Sequence, residues 1–372
     1  MSPSLAWVCA ASIGVVFCAV APVRGQEGAR PDSSSPRRVV LSGPVEVPLL
    51  PTPGARALLP VVEVMVNGRG PFRFGVETGA RFVALGREFA DSLGLRGDST
   101  GRELPELRLD SLTLGAARFY GVPAAILPRA PMGVAGVLGL PLYQNLLLTI
   151  DYPAGKLRLS RDTLPQADGA QILALRRLDD FWGVPLSLAG HPFDAVLDTR
   201  STGAIGLTPA GAKQVPFEGA PRVVGRAGGV AIPMTDVLAG RLAGDATLGR
   251  YTFPRPMITV RELPPGFPTG PLIGAAVLQN FVVSLDQRTA RLRLEHPGST
   301  VVQLPELMRP PAGAPPGAAR CRGSTTRCRR CAARCRSGVG AAAAVIPLEG
   351  PAEGTTSEAT SPRPTLLVVA RS

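Results

Sequence analysis

Two short segments combine an acidic residue, a threonine and a turn at the end of an apolar run. Phe74-Gly75-Val76 leads into Glu77-Thr78-Gly79-Ala80, and Ala195-Val196-Leu197 leads into Asp198-Thr199-Arg200-Ser201. Aspartate and serine are ordinary residues in turns, so one such segment could be purely structural. Two of them at matching places in one chain instead favour a pair of carboxylates that work together.

Paired carboxylates have a specific chemistry. Two carboxyl groups held side by side cannot both ionise cheaply, so they share one proton and titrate as a pair. The charged member can draw a proton from water while the neutral member donates a proton to a substrate carbonyl. Asp198 and Glu77 are therefore the candidate catalytic residues for hydrolysis without a covalent intermediate.

The rest of the patterned region also repeats itself, with offsets between 121 and 135 residues. The matching segments are Pro71–Thr78 with Pro192–Thr199, Leu112–Gly115 with Ala246–Gly249, Leu138-Gly139 with Ile273-Gly274, Gln144-Asn145 with Gln279-Asn280, Thr149–Asp151 with Ser284–Asp286, and Lys156–Leu159 with Arg291–Leu294. The constant order of these matches predicts a duplicated half-module.

Short apolar or alternating runs between glycines and prolines predict strands in each half. Examples are Val61–Val66, Phe72–Val76, Leu107–Leu114, Leu146–Ile150 and Leu157–Leu159, with short helices expected at Gly86–Leu93 and Leu140–Asn145. The sequence therefore predicts an all-β protein of two homologous lobes, over residues 39–165 and 166–300.

The paired loops resemble the Asp-Thr-Gly loops of the aspartic protease family, and more closely those of its retropepsin-like bacterial members than pepsin. In that family a later hydrophobic-hydrophobic-Gly segment packs beneath each loop, and Val137-Leu138-Gly139 and Leu272-Ile273-Gly274 fit it. The resemblance covers about residues 60–297. It implies two acid-protease β-barrel lobes in a pseudo-twofold arrangement, a peptide or protein substrate, and no metal or other cofactor.

The resemblance also implies supporting roles around the carboxylates. Thr78 and Thr199 would join the two loops by hydrogen bonds, Gly79 would allow close approach of the backbone, and Ser201 would bond the outer oxygen of Asp198.

Both loops depart from the family pattern. Glu77 replaces an aspartate and moves the carboxylate by about a bond length, where about 1 Å of misplacement can cost about a hundredfold in rate. Arg200 replaces a glycine and suits the position poorly if that position needs an unusual backbone angle or close approach. We also expect its cation to lower the carboxylate pKa values. Two readings stay open: an aspartic-type endopeptidase, or a degenerate pseudoprotease that binds extended peptides between the lobes.

The beginning of the chain is typical of an export signal. Leu5–Val20 is nearly all apolar and Ala21–Gly25 supplies small residues, so residues 1–25 are predicted to be a signal peptide. The apolar run is short for a membrane span, so we expect none. The protein is thus expected to be periplasmic or secreted, with a Ser-, Pro- and Arg-rich linker over residues 26–38.

The end of the chain, residues 301–372, is predicted to be a disordered Arg/Pro/Ala-rich tail. Residues 311–372 hold nine arginines and three glutamates, which is half of the net charge of +12. The core is therefore only mildly basic, and without interleaved aromatic residues the tail does not indicate a nucleic-acid partner. A basic tail that binds anionic surfaces is a third hypothesis.

Metal and histidine chemistry have little support in the sequence. Cys321, Cys328, Cys331 and Cys335 could supply four thiolates for zinc, but arginines separate them and no large apolar residue could pack a zinc finger. The chain has only two histidines, which disfavours a histidine-based hydrolase. We expect a two-lobed monomer.

Overall fold

A computed structural model describes residues 35–51, 59–98, 104–130, 133–229, 232–263, 267 and 269–305. The predicted signal peptide, most of the predicted linker and all but the first five residues of the predicted tail lie outside these residues. The described chain is mostly β-structure, as predicted from its short apolar runs.

Strands greatly outnumber helices along the described chain. The earlier strands are β1 Arg38–Val40, β2 Val45–Pro48, β3 Val61–Val66, β4 Arg69–Glu77, β5 Val83–Gly86, β6 Glu106–Leu114, β7 Ala117–Leu127, β8 Gly136–Gly139, β9 Leu147–Asp151 and β10 Lys156–Ser160. The later strands are β11 Ile172–Ala174, β12 Arg176–Leu178, β13 Phe181–Leu188, β14 His191–Asp198, β15 Ile205–Leu207, β16 Arg222–Gly229, β17 Ile232–Arg241, β18 Ala246–Leu248, β19 Tyr251–Phe253, β20 Met257–Val260, β21 Leu272–Gly274, β22 Val282–Asp286 and β23 Arg291–Glu295. The helices are α1 Arg87–Ser92, a 3₁₀ helix Leu140–Tyr143, α2 Pro209–Ala212 and α3 Ala275–Leu278.

The first lobe is a closed barrel. Its ring runs β3-β4-β8-β5-β7-β6, and β6 pairs with both β7 and β3, which closes it. Alternate side chains of these strands point inward, and Val62, Phe74, Leu85, Leu112 and Phe119 are almost fully buried. The barrel therefore has a packed apolar interior that holds the end of β4 in place.

The second lobe is built on an open sheet. Its path runs β16-β17-β20-β15-β21-β14-β13-β18-β19, and β12 pairs with β13. The path does not close among the described strands, because β17 pairs with β20 while β18 pairs with β13 and β19. The lobe is a half-barrel, whereas the sequence predicted a barrel in both halves.

A third sheet joins strands from both predicted halves in the order β11-β23-β22-β9-β10-β2. At its centre β9 pairs antiparallel with β22, and Thr149 Oγ1 and Ser284 Oγ are 2.9 Å apart. Both side chains are buried. The two lobes therefore share this sheet, which they form through the pairing of β9 with β22.

The folded part of the chain extends slightly beyond the lobes predicted from the sequence. Arg38, in the predicted linker, pairs with Tyr120 in the first sheet. Val301, in the predicted tail, forms a β-bridge with Thr252, and Val302 is buried. Residues 306–372, which include the four tail cysteines, lie outside the described residues.

Candidate active site

The first loop leaves the barrel at the end of β4. Glu77 pairs with Gly139, the last residue of β8. A Cβ on Gly139 would lie 2.4 Å from the Phe82 carbonyl oxygen and 2.8 Å from that of Ala80, so only glycine fits beneath the loop. The strand end and this close contact together fix the position of the Glu77 carboxylate.

The second loop has the same construction. Asp198 ends β14 and pairs with Gly274, the last residue of β21. A Cβ on Gly274 would lie 2.2 Å from the carbonyl oxygen of Gly203, and Ala275 donates its backbone N–H to the Ser201 carbonyl at 2.7 Å. The segments predicted to pack beneath the loops, 137–139 and 272–274, do so.

Reciprocal hydrogen bonds join the two loops. The Thr78 hydroxyl donates to the Leu197 carbonyl at 2.7 Å and accepts the Thr199 N–H at 3.1 Å. The Thr199 hydroxyl donates to the Val76 carbonyl at 2.7 Å and accepts the Thr78 N–H at 3.1 Å. All four bonds are buried, so this threonine lock holds the two carboxylate-bearing strand ends against each other.

Asp198 accepts hydrogen bonds from its own loop. Its Oδ1 accepts the backbone N–H of Arg200 at 3.0 Å and that of Ser201 at 3.3 Å. Ser201 thus contacts Asp198 through its backbone, while no hydroxyl bond to Asp198 occurs among the hydrogen bonds of the described residues. A Cβ on Gly79 would lie 3.1 Å from both Cγ and Oδ1 of Asp198, which explains why the first loop needs a glycine there.

The substituted positions of the two loops contact each other. Arg200 Nε lies 2.8 Å from Oε1 of Glu77, whose side chain is 8% exposed, while the Arg200 side chain is 35% exposed. The longer carboxylate and the arginine therefore form an ion pair across the loops, where the family pattern would have aspartate and glycine. Glu77 and Arg200, the two residues that depart from the family pattern, thus contact each other.

Burial dominates the pKa of Glu77. It raises this pKa to about 7, the Arg200 cation lowers it, and the Asp198 charge raises it. The lowering effect expected of Arg200 is therefore present, but desolvation, which the sequence did not indicate, outweighs it.

The backbone of the second loop accommodates Arg200 without strain. Neither Arg200 nor Gly79 is among the residues with positive φ. The left-handed backbone that would have made arginine poorly suited to this position is therefore absent.

Three residues that sequence reasoning missed lie near these loops. Arg81 forms a 2.8 Å ion pair with Asp180 and lies over the ring of Phe181. The Tyr152 hydroxyl is buried without a hydrogen-bond partner, and burial, followed by the Asp198 charge, raises the pKa of Tyr152. Burial lowers the pKa of the half-buried Arg261. The Asp198 charge raises this pKa, and the Arg200 charge lowers it further. No motif marks these positions: Arg81 directly follows the first loop, while the fold brings Tyr152 and Arg261 from other segments.

The glycine-rich segment Gly225–Gly229 belongs to strand β16, which forms a hairpin with β17. In the described part of the chain, no group of three or more His, Cys, Asp or Glu side chains is placed to hold a metal ion. No helix in that same part has the length and apolar character to span a membrane.

Comparisons with known proteins agree with the resemblance. A family model described as aspartyl protease matches residues 62–142, a segment that contains Glu77, Thr78, Gly79 and Gly139. A solved retropepsin-like aspartic protease from Rickettsia conorii is similar over 33% of this chain and 91% of its own, with 21% identity and a TM-score of 0.24. No curated protein sequence matches. By this match, residues 62–142, which carry the first loop, are similar to the aspartyl protease family.

Proposed function

We propose that the protein hydrolyses peptide bonds with Asp198 as general base and Glu77 as general acid. The observation that supports this proposal is the threonine lock, which holds together the ends of β4 and β14, each ending in a buried carboxyl group. Thr78, Gly79, Thr199 and Ser201 support the pair through their contacts within and between the two loops.

The protonation states suit these roles. With a pKa of about 7, Glu77 keeps its proton in mildly acidic solution. Ionised Asp198 takes a proton from a water molecule, whose oxygen attacks the carbonyl carbon while Glu77 donates its proton to the carbonyl oxygen. The tetrahedral intermediate then breaks its C–N bond as the nitrogen receives the proton held by Asp198 and the new hydroxyl returns one to Glu77.

A peptide library tests the proposal. Purified protein is incubated with the library at pH 5, and new peptide ends are identified by mass spectrometry. We expect cleavage by the wild type and a loss of about a hundredfold or more in Asp198→Asn, since general acid–base groups contribute about that much. Equal cleavage by this variant would refute the assignment.

A second candidate function rests on the Arg200–Glu77 ion pair. If this pair holds Glu77 ionised, the cleft binds extended peptides without hydrolysing them. In that case the double variant Glu77→Asp/Arg200→Gly, which removes the ion pair, gains peptidase activity that the wild type lacks. A wild type as active as the double variant would exclude this second function.

Three further properties belong to the same proposal: export with cleavage after Gly25, a monomeric state, and an origin of the two halves by internal duplication. The sequence pattern of residues 1–25 supports export, and the equivalent contacts of the two loops support duplication. N-terminal sequencing of exported protein should find Gln26 first, and sedimentation should give a mass below 38.7 kDa. An intact Met1, or a dimer mass, would contradict these points.

A further inference from the structure

Two arginines near Glu77 and Asp198, Arg200 and Arg261, have no part in the proposed reaction. Arg200 Nε lies 2.8 Å from Glu77 Oε1, and no hydrogen bond to a described residue comes from the two Nη groups of Arg200. The Arg200 backbone N–H donates a hydrogen bond to Asp198, so the Arg200 guanidinium lies beside both carboxyl groups. With 35% of the side chain exposed, these donors are open to a ligand.

A second arginine comes to the same region from the end of β20. Arg261 follows Val260, and its backbone N–H donates to the Leu207 carbonyl at 3.0 Å. Strand β20 pairs with β15, β15 with β21, and β21 with β14, whose last residue is Asp198. Arg261 therefore follows a strand of the same sheet as Asp198, three strands away from β14.

Two described residues that follow Arg261 lie against the strands that lead to Asp198. Leu263 and Phe267 pack against Val196 and Leu272, and the rings of Phe267 and Phe181 are 4.9 Å apart. Val196 precedes Asp198 by two residues. This packing holds these two residues close to the site, in agreement with the effects of Asp198 and Arg200 on the pKa of Arg261.

The Arg261 guanidinium is half-buried, yet it forms no ion pair with any described residue, in contrast to Arg81 and Arg200. A partly desolvated cation without a partner is unfavourable and favours an anion that would complete it. Because Glu77 keeps its proton in mild acid, Asp198 alone does not neutralise the two arginines there. The local charge therefore favours an anionic ligand.

We infer that Arg261, together with the free Nη groups of Arg200, selects substrates with a carboxylate next to the scissile bond. This inference rests on the proposed function. A carboxylate suits a guanidinium because both are planar and can form paired charge-assisted hydrogen bonds. It can come from an aspartate or glutamate side chain or from the carboxyl end of the peptide.

Four matched peptides test this inference. The peptides are built around one bond cleaved in the library, or around the central bond of one library peptide if none is cleaved. One pair carries glutamate or glutamine beside that bond, and a second pair ends in a free acid or an amide just after it. Wild-type kcat/KM should be about tenfold or more higher for the acid member of at least one pair, as for a hydrogen bond to a charged group. The pair that shows the preference identifies the source of the carboxylate.

Variants connect the preference to Arg261. Arg261→Gln should reduce the preference to about threefold or less, Arg261→Lys should keep most of it, and the exposed first-lobe variant Arg118→Gln should keep all of it. Urea midpoints check that each variant folds. Fluorescence anisotropy with the Asp198→Asn protein measures the same preference in binding, without hydrolysis.

The outcomes separate the two proposals. If the wild type cleaves acid and neutral peptides equally and Asp198→Asn binds them equally, the inference is overturned while the proposed function stands. If no peptide is cleaved but acid peptides bind at least tenfold more tightly, the inference stands and the proposed function fails. A preference unchanged in Arg261→Gln also overturns the inference.

Discussion

Arg200 Nε and Glu77 Oε1 lie 2.8 Å apart and join the two loops that carry the carboxylates. In each loop the residue two positions after the acid faces the other loop: Gly79 faces Asp198, and Arg200 faces Glu77. The smaller residue lies opposite the shorter carboxylate, and the cation lies opposite the longer one. The site is therefore asymmetric, with one carboxylate paired to a guanidinium and the other held by backbone N–H groups.

Removal of Arg200 should change the pH dependence of the reaction. Since Arg200 lowers the pKa of Glu77 from the value that burial alone would give, Arg200→Gly should raise that pKa. The loss of activity on the alkaline side, near pH 7 in the wild type, should then move to higher pH. Profiles of kcat/KM against pH measure it, with Arg200→Lys as a control that keeps a positive charge. A shift to lower pH in Arg200→Gly would contradict this account.

Burial of Glu77 should also make the folded protein less stable as the pH rises. Its pKa is raised from 4.5 to about 7, so the folded state binds the proton more tightly than the unfolded state. Stability is therefore full below pH 4.5 and falls as the pH rises to about 7, by about 3 kcal/mol in total. Urea unfolding at several pH values should show this fall, and Glu77→Gln should reduce it. An equal fall in this variant would show that other groups cause it.

The threonine lock should contribute measurably to stability. Thr199→Val removes the hydroxyl that donates to Val76 and accepts from Thr78, and it leaves both backbone groups buried without a partner. Each unsatisfied group costs about 1–3 kcal/mol. The urea midpoint should fall strongly in Thr199→Val, while Thr199→Ser keeps the hydroxyl and should lose far less. Similar midpoints for the two variants would mean that the lock contributes little.

Gly79 is needed for space beside Asp198. In Gly79→Ala the new methyl group would lie 3.1 Å from Asp198 Cγ and Oδ1, so the carboxylate must shift. Because small displacements of a reacting group are costly, we expect a loss of about ten- to a hundredfold in kcat/KM. Gly219→Ala is the matched control, since a Cβ there meets no atom within 4 Å. Full activity in Gly79→Ala would show that this close approach has no part in catalysis.

The sequence predicted the positions of strands and helices better than it predicted which strands pair with each other. Val61–Val66 forms a strand with the predicted bounds, and the helix expected at Gly86–Leu93 spans Arg87–Ser92, because apolar spacing and glycines determine these elements locally. The pairing of β9 with β22 was not predicted, since strand pattern alone does not specify which distant strand becomes the neighbour.

In the candidate site, too, the sequence predicted local features and missed those that depend on the fold. The threonine contacts followed from the resemblance, whereas the direction of the Glu77 pKa shift depends on burial, which a sequence pattern does not measure. Arg261 was missed because it is one of many arginines and becomes distinctive only in the fold, where Leu263 and Phe267 after it pack beside Val196.

The most direct measurement for the central claim is kcat/KM at pH 5 for one cleaved peptide, with wild type, Asp198→Asn and Asp194→Asn compared. Asp194 lies on the same strand as Asp198 and pairs with Arg176, so its variant controls for the loss of a carboxylate as such. We predict a loss of about a hundredfold or more in Asp198→Asn and near wild-type activity in Asp194→Asn. Equal activity in wild type and Asp198→Asn would contradict the claim that this carboxylate activates the water.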